Sequence, residues 1–550
     1  MTLAVHEALN EVRRLRSAGR LAEGEALCRQ LLAGDPANAL AHQNMGLILF
    51  DAGRYEEALV SFGRALKGDP GSHHVYNAIG AAHQKLGRRS EAIASYETAI
   101  QLDRTFVDAY SNLGVALLEA DGSEAAESAL REGLRLAPER PNLHSNLAVA
   151  LIKARRPAEA EAHLREALRL QPNYVEARKN LAVALSLEGR RPEALEQLEL
   201  ALALQPDAPR SHYDRALALL ALGRFEEGWR EAEWRWQVAE PIIVNRPFAG
   251  IEWRGEDFEG KTLLVYGEQG FGDMLHFCRY LPLAAARGGE LHVETPPALE
   301  RLYRLSFARD NLSIVPLASD FPGVGGVAEC DYRLALLSLP FVFGTTLSTV
   351  PAEIPYLAAD ASEVALWERR LAELPWPRVG LVWAGSAANP RDPVRSLALA
   401  RLAPLADVDG LSFISLQKGE AAAQAAAPDA AIRLHDFAGE LADFAATAAL
   451  IQALDLVVGV DTAVVHLAGA LGKPVWLLNR FETDWRWLVG REDSPWYPSL
   501  RIFRQPRLDD WESVIARVRE ELERWALERR AQDKLPPRHR AKRNKAARPL

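Results

Sequence analysis

Two periodicities divide the chain. From about residue 5 to 240, apolar residues recur three and four apart with polar residues between them, as in "NMGLILFDAGRYEEALVSFGRALKGDP", and this predicts a run of amphipathic helices. Prolines recur at Pro36, Pro70, Pro138, Pro172 and Pro206, a spacing of 34 with one station taken by Arg104. Small residues keep the same period in two further ladders: Gly46, Gly80, Gly114, Ala148, Ala182, Ala216, and Ala58, Ala92, Ala126, Ala160, Ala194, Gly228. Small residues let paired helices approach, and proline breaks the chain between pairs. From residue 261 the pattern changes to short apolar runs separated by helical stretches. The runs are "TLLVYG", "LHVE", "LSIV" and "YRLA", then, after the linker "TVPAEIPYL", "RVGLVWAG", "LSFISLQ", "IRLHD", "LDLVVGV" and "KPVWLLN". Strands alternating with helices predict parallel sheets covered on both faces. Two such sets predict two Rossmann-like domains facing a cleft.

The 34-residue period matches the tetratricopeptide repeat (TPR), with units at roughly 5–38, 39–72, 73–106, 107–140, 141–174, 175–208 and 209–240. Such units stack into a right-handed superhelix with a concave inner face. "RFEEGWREAEWRW" ends the array, and Trp229, Trp234 and Trp236 are expected to cap it against the next domain. Asn44, Asn112, Asn146 and Asn180 form another ladder on the first helices. Asparagine gives nothing to an apolar core, but its amide both donates and accepts. A row of such amides on the concave face would bind the backbone of an extended peptide. It resembles the asparagine ladder of protein O-GlcNAc transferases. The alternative is that these amides stabilise junctions between repeats.

Composition narrows the function. The chain has 550 residues, 48% hydrophobic and 25% charged, as expected of a folded multidomain protein. A net charge of -9 argues against bulk nucleic-acid binding. Cys28, Cys278 and Cys330 form no paired motif, which predicts neither disulfides nor a zinc site and fits a reducing cytoplasm. The first residues do not read as a signal peptide, and no apolar run is long enough to span a membrane.

Ligands of doubly wound sheets bind beyond the carboxyl ends of the strands. There "LDLVVGV" runs into "DTAVVHLAGALG", so Gly459, Asp461, Thr462 and His466 are candidates for binding a phosphate-bearing ligand. A helix start offers free N–H groups to phosphate, Gly459 allows close approach, and Thr462 and His466 lie one turn apart. Ordinary capping by Asp461-Thr462 and a satisfied buried histidine are the plainer readings. No Asp-x-Asp motif follows a predicted strand, so the expectation is a metal-free reaction without a cofactor.

"GVDTAVVHLAGALGKPVW" resembles the nucleotide-sugar motif of the heptosyltransferase group, glycosyltransferase family 9. "GEQGFGDMLHFCRYLP" resembles that group's N-terminal glycine-rich motif. "GLVWAGS", "SLQKG", "DWRWLVGREDSPWYPSLRIFRQP" and "GWREAEWRW" together look like bacterial proteins that join TPRs to such a transferase, some of which glycosylate flagellin. The resemblance implies α+α/β architecture, an all-α TPR superhelix followed by a GT-B fold of two Rossmann-like domains. The expected boundaries are 1–240 for the array, 241–260 for a linker, 261–360 for the acceptor-side domain and 361–507 for the nucleotide-sugar domain. A helix at 508–530 and a basic, disordered tail at 531–550 follow. The resemblance implies Asp273 as the base of an inverting transfer, with Glu268 as its rival and Gly270 and Gly272 of the same loop as donor-binding residues. It also implies Arg395 near the leaving diphosphate and Gln417 and Lys418 near the nucleotide. The chain departs from the family pattern at Asn389, usually histidine, and Arg391, usually asparagine. The implied partners are a nucleotide sugar and a protein acceptor such as flagellin, held by the array. A non-catalytic adaptor and a saccharide-modifying enzyme are the alternatives.

Overall fold

The structure is a computed structural model that describes residues 3–238, 250–317, 330–387, 389, 392–427 and 430–533. The first part of the expected linker, Arg391 and nearly all of the basic tail lie outside these residues. The chain forms two compact units, Met1–Ser186 with Ala203–Gln205, and Leu187–Leu202 with Pro206–Leu550.

The N-terminal region is a run of helices in the order of tetratricopeptide repeats. First helices begin at Leu3, Ala39, His73, Val107, Pro141, Val175 and Pro209, and second helices begin at Leu21, Tyr55, Arg89, Ser123, Pro157, Arg191 and Phe225. The glycine ladder has a steric cause. A Cβ on Gly46 would lie 2.4 Å from the Phe62 ring, on Gly80 2.6 Å from Tyr96, and on Gly114 2.5 Å from Leu130. The turn inside each pair needs a left-handed residue, met by Gly53 (φ 76°) and Gly87 (φ 73°), but by Asp121 (φ 59°) and Arg155 (φ 61°) in the next two pairs. A further device recurs with the repeat. His42 Nε2 hydrogen-bonds to the Pro36 carbonyl at 2.9 Å, Tyr110 Oη to that of Arg104 at 3.2 Å and His144 Nε2 to that of Pro138 at 2.8 Å. Each fastens a first helix to the break before it, so the proline stations are tied as well as kinked.

The asparagine ladder differs from its expected role. Asn44 is 4% exposed and donates to the Leu40 carbonyl of its own helix at 2.7 Å. Asn112 donates to Asn77 Oδ1 at 3.0 Å, Asn146 to Ser111 Oγ at 3.2 Å and Asn180 to Ser145 Oγ at 3.2 Å. Each of the last three partners lies 35 residues back, on the previous first helix. These donors close junctions between repeats, and Asn77, off register in sequence, is one of the acceptors.

The C-terminal unit holds two parallel sheets. In the first, β1 (Ile251–Glu252), β2 (Thr262–Tyr266), β3 (Glu290–Thr295), β4 (Leu312–Pro316) and β5 (Tyr332–Ala335) are arranged in the order β1-β5-β2-β3-β4. In the second, β6 (Arg378–Val382), β7 (Ser412–Ser415), β8 (His435–Asp436), β9 (Leu456–Val460), β10 (Val475–Asn479) and β11 (Leu500–Arg504) run in the order β11-β10-β9-β6-β7-β8. That is the doubly wound order, and its direction reverses between β6 and β9; the first sheet reverses between β2 and β5. Alternate residues of the second sheet enter different cores. Val457 and Leu477 join one that also holds Val265, Phe277 and Trp229, while Val458 and Phe503 join another with Val514, Val518 and Leu522 of the last helix, Trp511–Asp533. β11 was not evident in the sequence because Arg501 and Arg504 interrupt its apolar run. The expected "IRLHD" strand pairs only at His435 and Asp436. The helical stretch after the glycine-rich loop breaks into Phe271–Phe277 and Leu281–Ala285.

The last repeat packs on the first sheet domain. Trp229 is 3% exposed, stands edge-on to Trp485 at 5.2 Å, and donates through its indole N–H to the Thr345 carbonyl at 3.1 Å. Trp234 stacks on His212 at 4.0 Å, and Trp236 lies under the Arg235 guanidinium at 4.7 Å. Trp229→Ala should destabilise the C-terminal unit by about 3–5 kcal/mol. Trp229→Phe keeps a ring but leaves a buried carbonyl unpaired, and should cost about 1–3 kcal/mol. Urea unfolding of the two variants should rank them in that order.

Candidate active site

β9 is buried along its whole length and delivers Asp461 and Thr462 to the switch point of the second sheet. Thr462 is the N-cap of helix Ala463–Ala470, with extended backbone (φ -140°, ψ 169°), yet its side chain caps no amide. It is 8% exposed and its hydroxyl has no hydrogen-bond partner. Ordinary capping would spend that oxygen on a first-turn N–H. Here the hydroxyl is buried and caps no first-turn N–H.

Across the switch point, helix Asp392–Arg395 follows β6. Arg395 donates to the Asp461 carbonyl at 3.0 Å and pairs with Asp392 at 3.2 Å. Its approach requires Gly385, where a Cβ would lie 2.3 Å from the guanidinium. Asn389 turns the preceding loop by donating its backbone N–H to the Ser386 carbonyl at 2.9 Å. Arg395 therefore stands beside the Asp461–Thr462 turn.

Several expected ligand contacts are used internally. Gly459 serves strand packing, since a Cβ there would lie 2.2 Å from Val382. Gln417 is 2% exposed. Its carbonyl accepts from Trp383 N and Ala384 N at 3.1 and 2.9 Å, and its amide donates to the Ala384 and Lys418 carbonyls at 3.0 and 2.9 Å. It locks the ends of β6 and β7 together. Lys418 donates to the Ala438 and Leu441 carbonyls at 2.8 and 2.7 Å.

His466 is also internal. It is 4% exposed, stacks on Trp487 at 5.3 Å, and places Nδ1 2.9 Å from Tyr497 Oη and Nε2 3.6 Å from Asp461 Oδ1. Tyr497 Oη also lies 3.0 Å from Nδ1 of His276. The Tyr497 hydroxyl thus lies between the two imidazole rings, within hydrogen-bond distance of both. This chain runs from Asp461 to His276 in the first sheet domain. Burial favours a neutral Asp461, but hydrogen bonding and the charge of His466, with Arg486, hold its carboxyl well below the ordinary range. Burial, with the charges of Arg279, His466 and Arg486, holds His276 well below an ordinary histidine.

The opposite wall is the glycine-rich loop beyond β2. Gly270 is exposed, and Gly272 is a packing contact, where a Cβ would lie 3.3 Å from the His466 ring and 3.8 Å from the Ala463 backbone. Asp273, on the first turn of helix Phe271–Phe277, therefore stands near the Asp461–Thr462 turn. Its Oδ1 is ion-paired with Arg486, and its side chain is 19% exposed. Oδ2 has no hydrogen-bond partner among the described residues. Burial raises its pKa, Arg486 and His466 oppose that rise, and Asp484 and Asp461 add to it. Glu268 differs: its side chain is fully buried and pairs with Arg235 at 3.1 Å. A carboxylate enclosed in this way cannot meet an acceptor, so Glu268 is an anchor of the loop rather than a rival base.

Sequence reasoning missed Arg486, Tyr497, His276 and Arg279. The first two lie in "DWRWLVGREDSPWYPSL", which was informative only as a motif. The signal for the other two was a pair of polar residues three apart within the apolar stretch "MLHFCRYLP".

Comparison with known proteins agrees with this division. Residues 46–87 and 85–120 match the TPR repeat, and 151–220 and 209–234 match tetratricopeptide repeat families. Residues 412–486, which contain β9 and the Asp461–Thr462 turn, match glycosyltransferase family 9 (heptosyltransferase). The chain joins TPR repeats to a glycosyltransferase family 9 domain. It is 29% identical to Protein FlbA of Caulobacter vibrioides over 307 residues, 53% of this chain and 51% of FlbA, and so spans about half the length of that relative. Solved structures similar to the repeat region include YrrB, a TPR protein with an unusual peptide-binding site, at 20% identity over 34% of this chain and 98% of YrrB, with a TM-score of 0.30. TTC0263, a TPR protein of Thermus thermophilus, is 29% identical over 33% of this chain and 99% of its own, with a TM-score of 0.30. Among the described residues no helix is long and apolar enough to cross a membrane.

His276 should make stability depend on pH. A histidine held neutral in the fold but free to protonate when unfolded leaves the unfolded state with more protons below about pH 6.5. Stability through this group is full above that pH and is lost as pH falls. Subtracting His276→Asn from wild type should give a difference that shrinks from pH 8 to 5.5, measured by urea unfolding.

Proposed function

We propose that this chain is a nucleotide-sugar-dependent glycosyltransferase of GT-B architecture that modifies a protein acceptor recruited by its repeats. One observation carries the reading. The starts of helices Phe271–Phe277 and Ala463–Ala470, one beyond each sheet's switch point, lie against each other at Gly272. That contact supports reading Asp273, with one oxygen unpaired among the described residues, and Thr462, with an unspent hydroxyl, as parts of one site.

In this reading the donor diphosphate binds the first-turn amides and Thr462, and Arg395 offsets the charge that grows on the leaving group. Asp273 Oδ2 takes the acceptor hydroxyl's proton as the oxygen attacks the anomeric carbon and the nucleoside diphosphate departs with its electron pair. A single displacement of this kind inverts the anomeric centre. TPR repeats are protein-interaction modules, which supports a protein acceptor. Flagellin is proposed by resemblance to TPR-linked transferases that modify it.

Purified protein should release nucleotide from one member of a nucleotide-sugar panel, and faster when flagellin is added. Asp273→Asn should lower transfer by roughly 100- to 10,000-fold with donor affinity retained. Thr462→Ala should instead weaken donor binding in calorimetry. Transfer to a free saccharide but not to protein would favour the saccharide-modifying alternative, and a protein that binds no donor would favour the adaptor.

A further inference from the structure

We propose that Arg486 is the positioning residue of Asp273, fixing one carboxylate oxygen so that the other is presented, ionised, to the acceptor. The inference rests on the reading of Asp273 as the base. Arg486 follows β10 in the short helix Trp485–Trp487 and crosses to the first sheet domain to reach Asp273 Oδ1. It is itself held on three sides. Asp484 pairs with it at 2.9 Å, the Trp485 ring lies 4.4 Å beneath its guanidinium, and Phe277 lies at 5.8 Å. Its side chain is 11% exposed. A planar cation fixed in this way holds a carboxylate in one orientation, as a flexible ammonium would not.

The charges around Asp273 make this cation necessary. Asp484 lies on the same loop as Arg486, Asp461 and His466 come from the β9 turn and its helix, and Glu268 lies earlier in the glycine-rich loop. Among these, Arg486 is the fixed cation. Without it Asp273 would face two other aspartates in a desolvated site, would protonate at higher pH, and would lose its role as a base. During transfer the acceptor proton passes to Oδ2, the new C–O bond forms as the bond to the diphosphate oxygen breaks, and Arg486 stays on Oδ1 throughout.

The test compares wild type, Arg486→Gln, Arg486→Lys and Asp273→Asn, each first shown to be folded by its melting transition. Arg486→Gln should move the acid limb of kcat/KM up by about 1–3 pH units and lower kcat by roughly 100-fold, with donor KM unchanged. Arg486→Lys keeps the charge and loses the planar fork, so its limb should stay near that of wild type while kcat still falls. An unmoved limb in Arg486→Gln, or a raised donor KM with kcat intact, overturns the proposal. Infrared titration of the Asp273 carboxyl, identified as the band missing in Asp273→Asn, reads the same effect without turnover. If wild type uses no nucleotide sugar, the proposed function fails. If the Asp273 band also titrates alike in wild type and Arg486→Gln, the Arg486 inference fails independently.

Discussion

The close approach of two helix starts governs the C-terminal unit. Residue 272 has no side chain, so the glycine-rich loop can rest on the backbone at Ala463, and a Cβ there would press on the His466 ring. That contact brings polar side chains from two sheets into one interior, where each must find a partner. Arg279 is the extreme case. It is 4% exposed and donates to the Trp496 carbonyl at 2.7 Å, the Pro351 carbonyl at 3.2 Å and the Tyr356 hydroxyl at 2.9 Å, with the rings of Tyr356 and Tyr497 each 4.6 Å from its guanidinium. Carbonyls, a hydroxyl and aromatic faces take the place of a carboxylate partner. The sheets are thus joined by directional bonds as well as by apolar area, which favours one relative placement over its neighbours.

The same interior explains why chemically similar residues are predicted to act differently. Asp461, Asp273 and Glu268 are all carboxylates near strand ends. Asp461 has a histidine beside it and stays ionised. Asp273 shares a cation with Asp484 and keeps an open oxygen. Glu268 is sealed against Arg235, and burial lifts its pKa to about 7. Environment separates the three, and only Asp273 combines a raised pKa with access, as general-base chemistry requires.

Features imposed by a steric period or by topology were legible in the sequence. The Gly46 ladder repeats because an aromatic or leucine side chain fills the same hole in successive pairs. The Asp461–Thr462 turn was legible because a buried strand ending in polar residues marks a switch point. Arg395 was reached only through the family resemblance. What remained hidden depended on which atoms are already engaged. Nothing in the local sequence distinguishes a Gln417 that contacts nucleotide from one that locks two strand ends. A row of asparagines looks equally fit for a peptide or for the neighbouring repeat until the partners 35 residues away are seen. Arg486 was hidden because its partner Asp273 lies 213 residues away in sequence.

The last repeat is also part of the site's support. Arg235 leaves the short helix Glu233–Gln237 and meets Glu268 at 3.1 Å and Ser338 at 2.7 Å, and Ser338 bonds in turn to Glu233. Glu268 opens the loop that carries Asp273, so the end of the array and the start of the site share one buried ion pair. Burial raises the Glu268 pKa from 4.5 to about 7, and Arg235 opposes the rise. The folded state therefore binds this proton more tightly than the unfolded chain does. The associated stability is full below about pH 4.5 and is lost as pH rises through 7. His276 works in the opposite direction, losing stability as pH falls below its unfolded value. Two buried groups with opposed titrations, on either side of Asp273, confine the best-packed state of the loop to an intermediate pH. Removing Arg235 would leave a buried carboxylate unpaired, and pairs of this kind cost more to break than to replace whole. The array's last turn is thus bound to the loop by electrostatics, and a change in how that turn is held reaches Asp273 through five residues of chain.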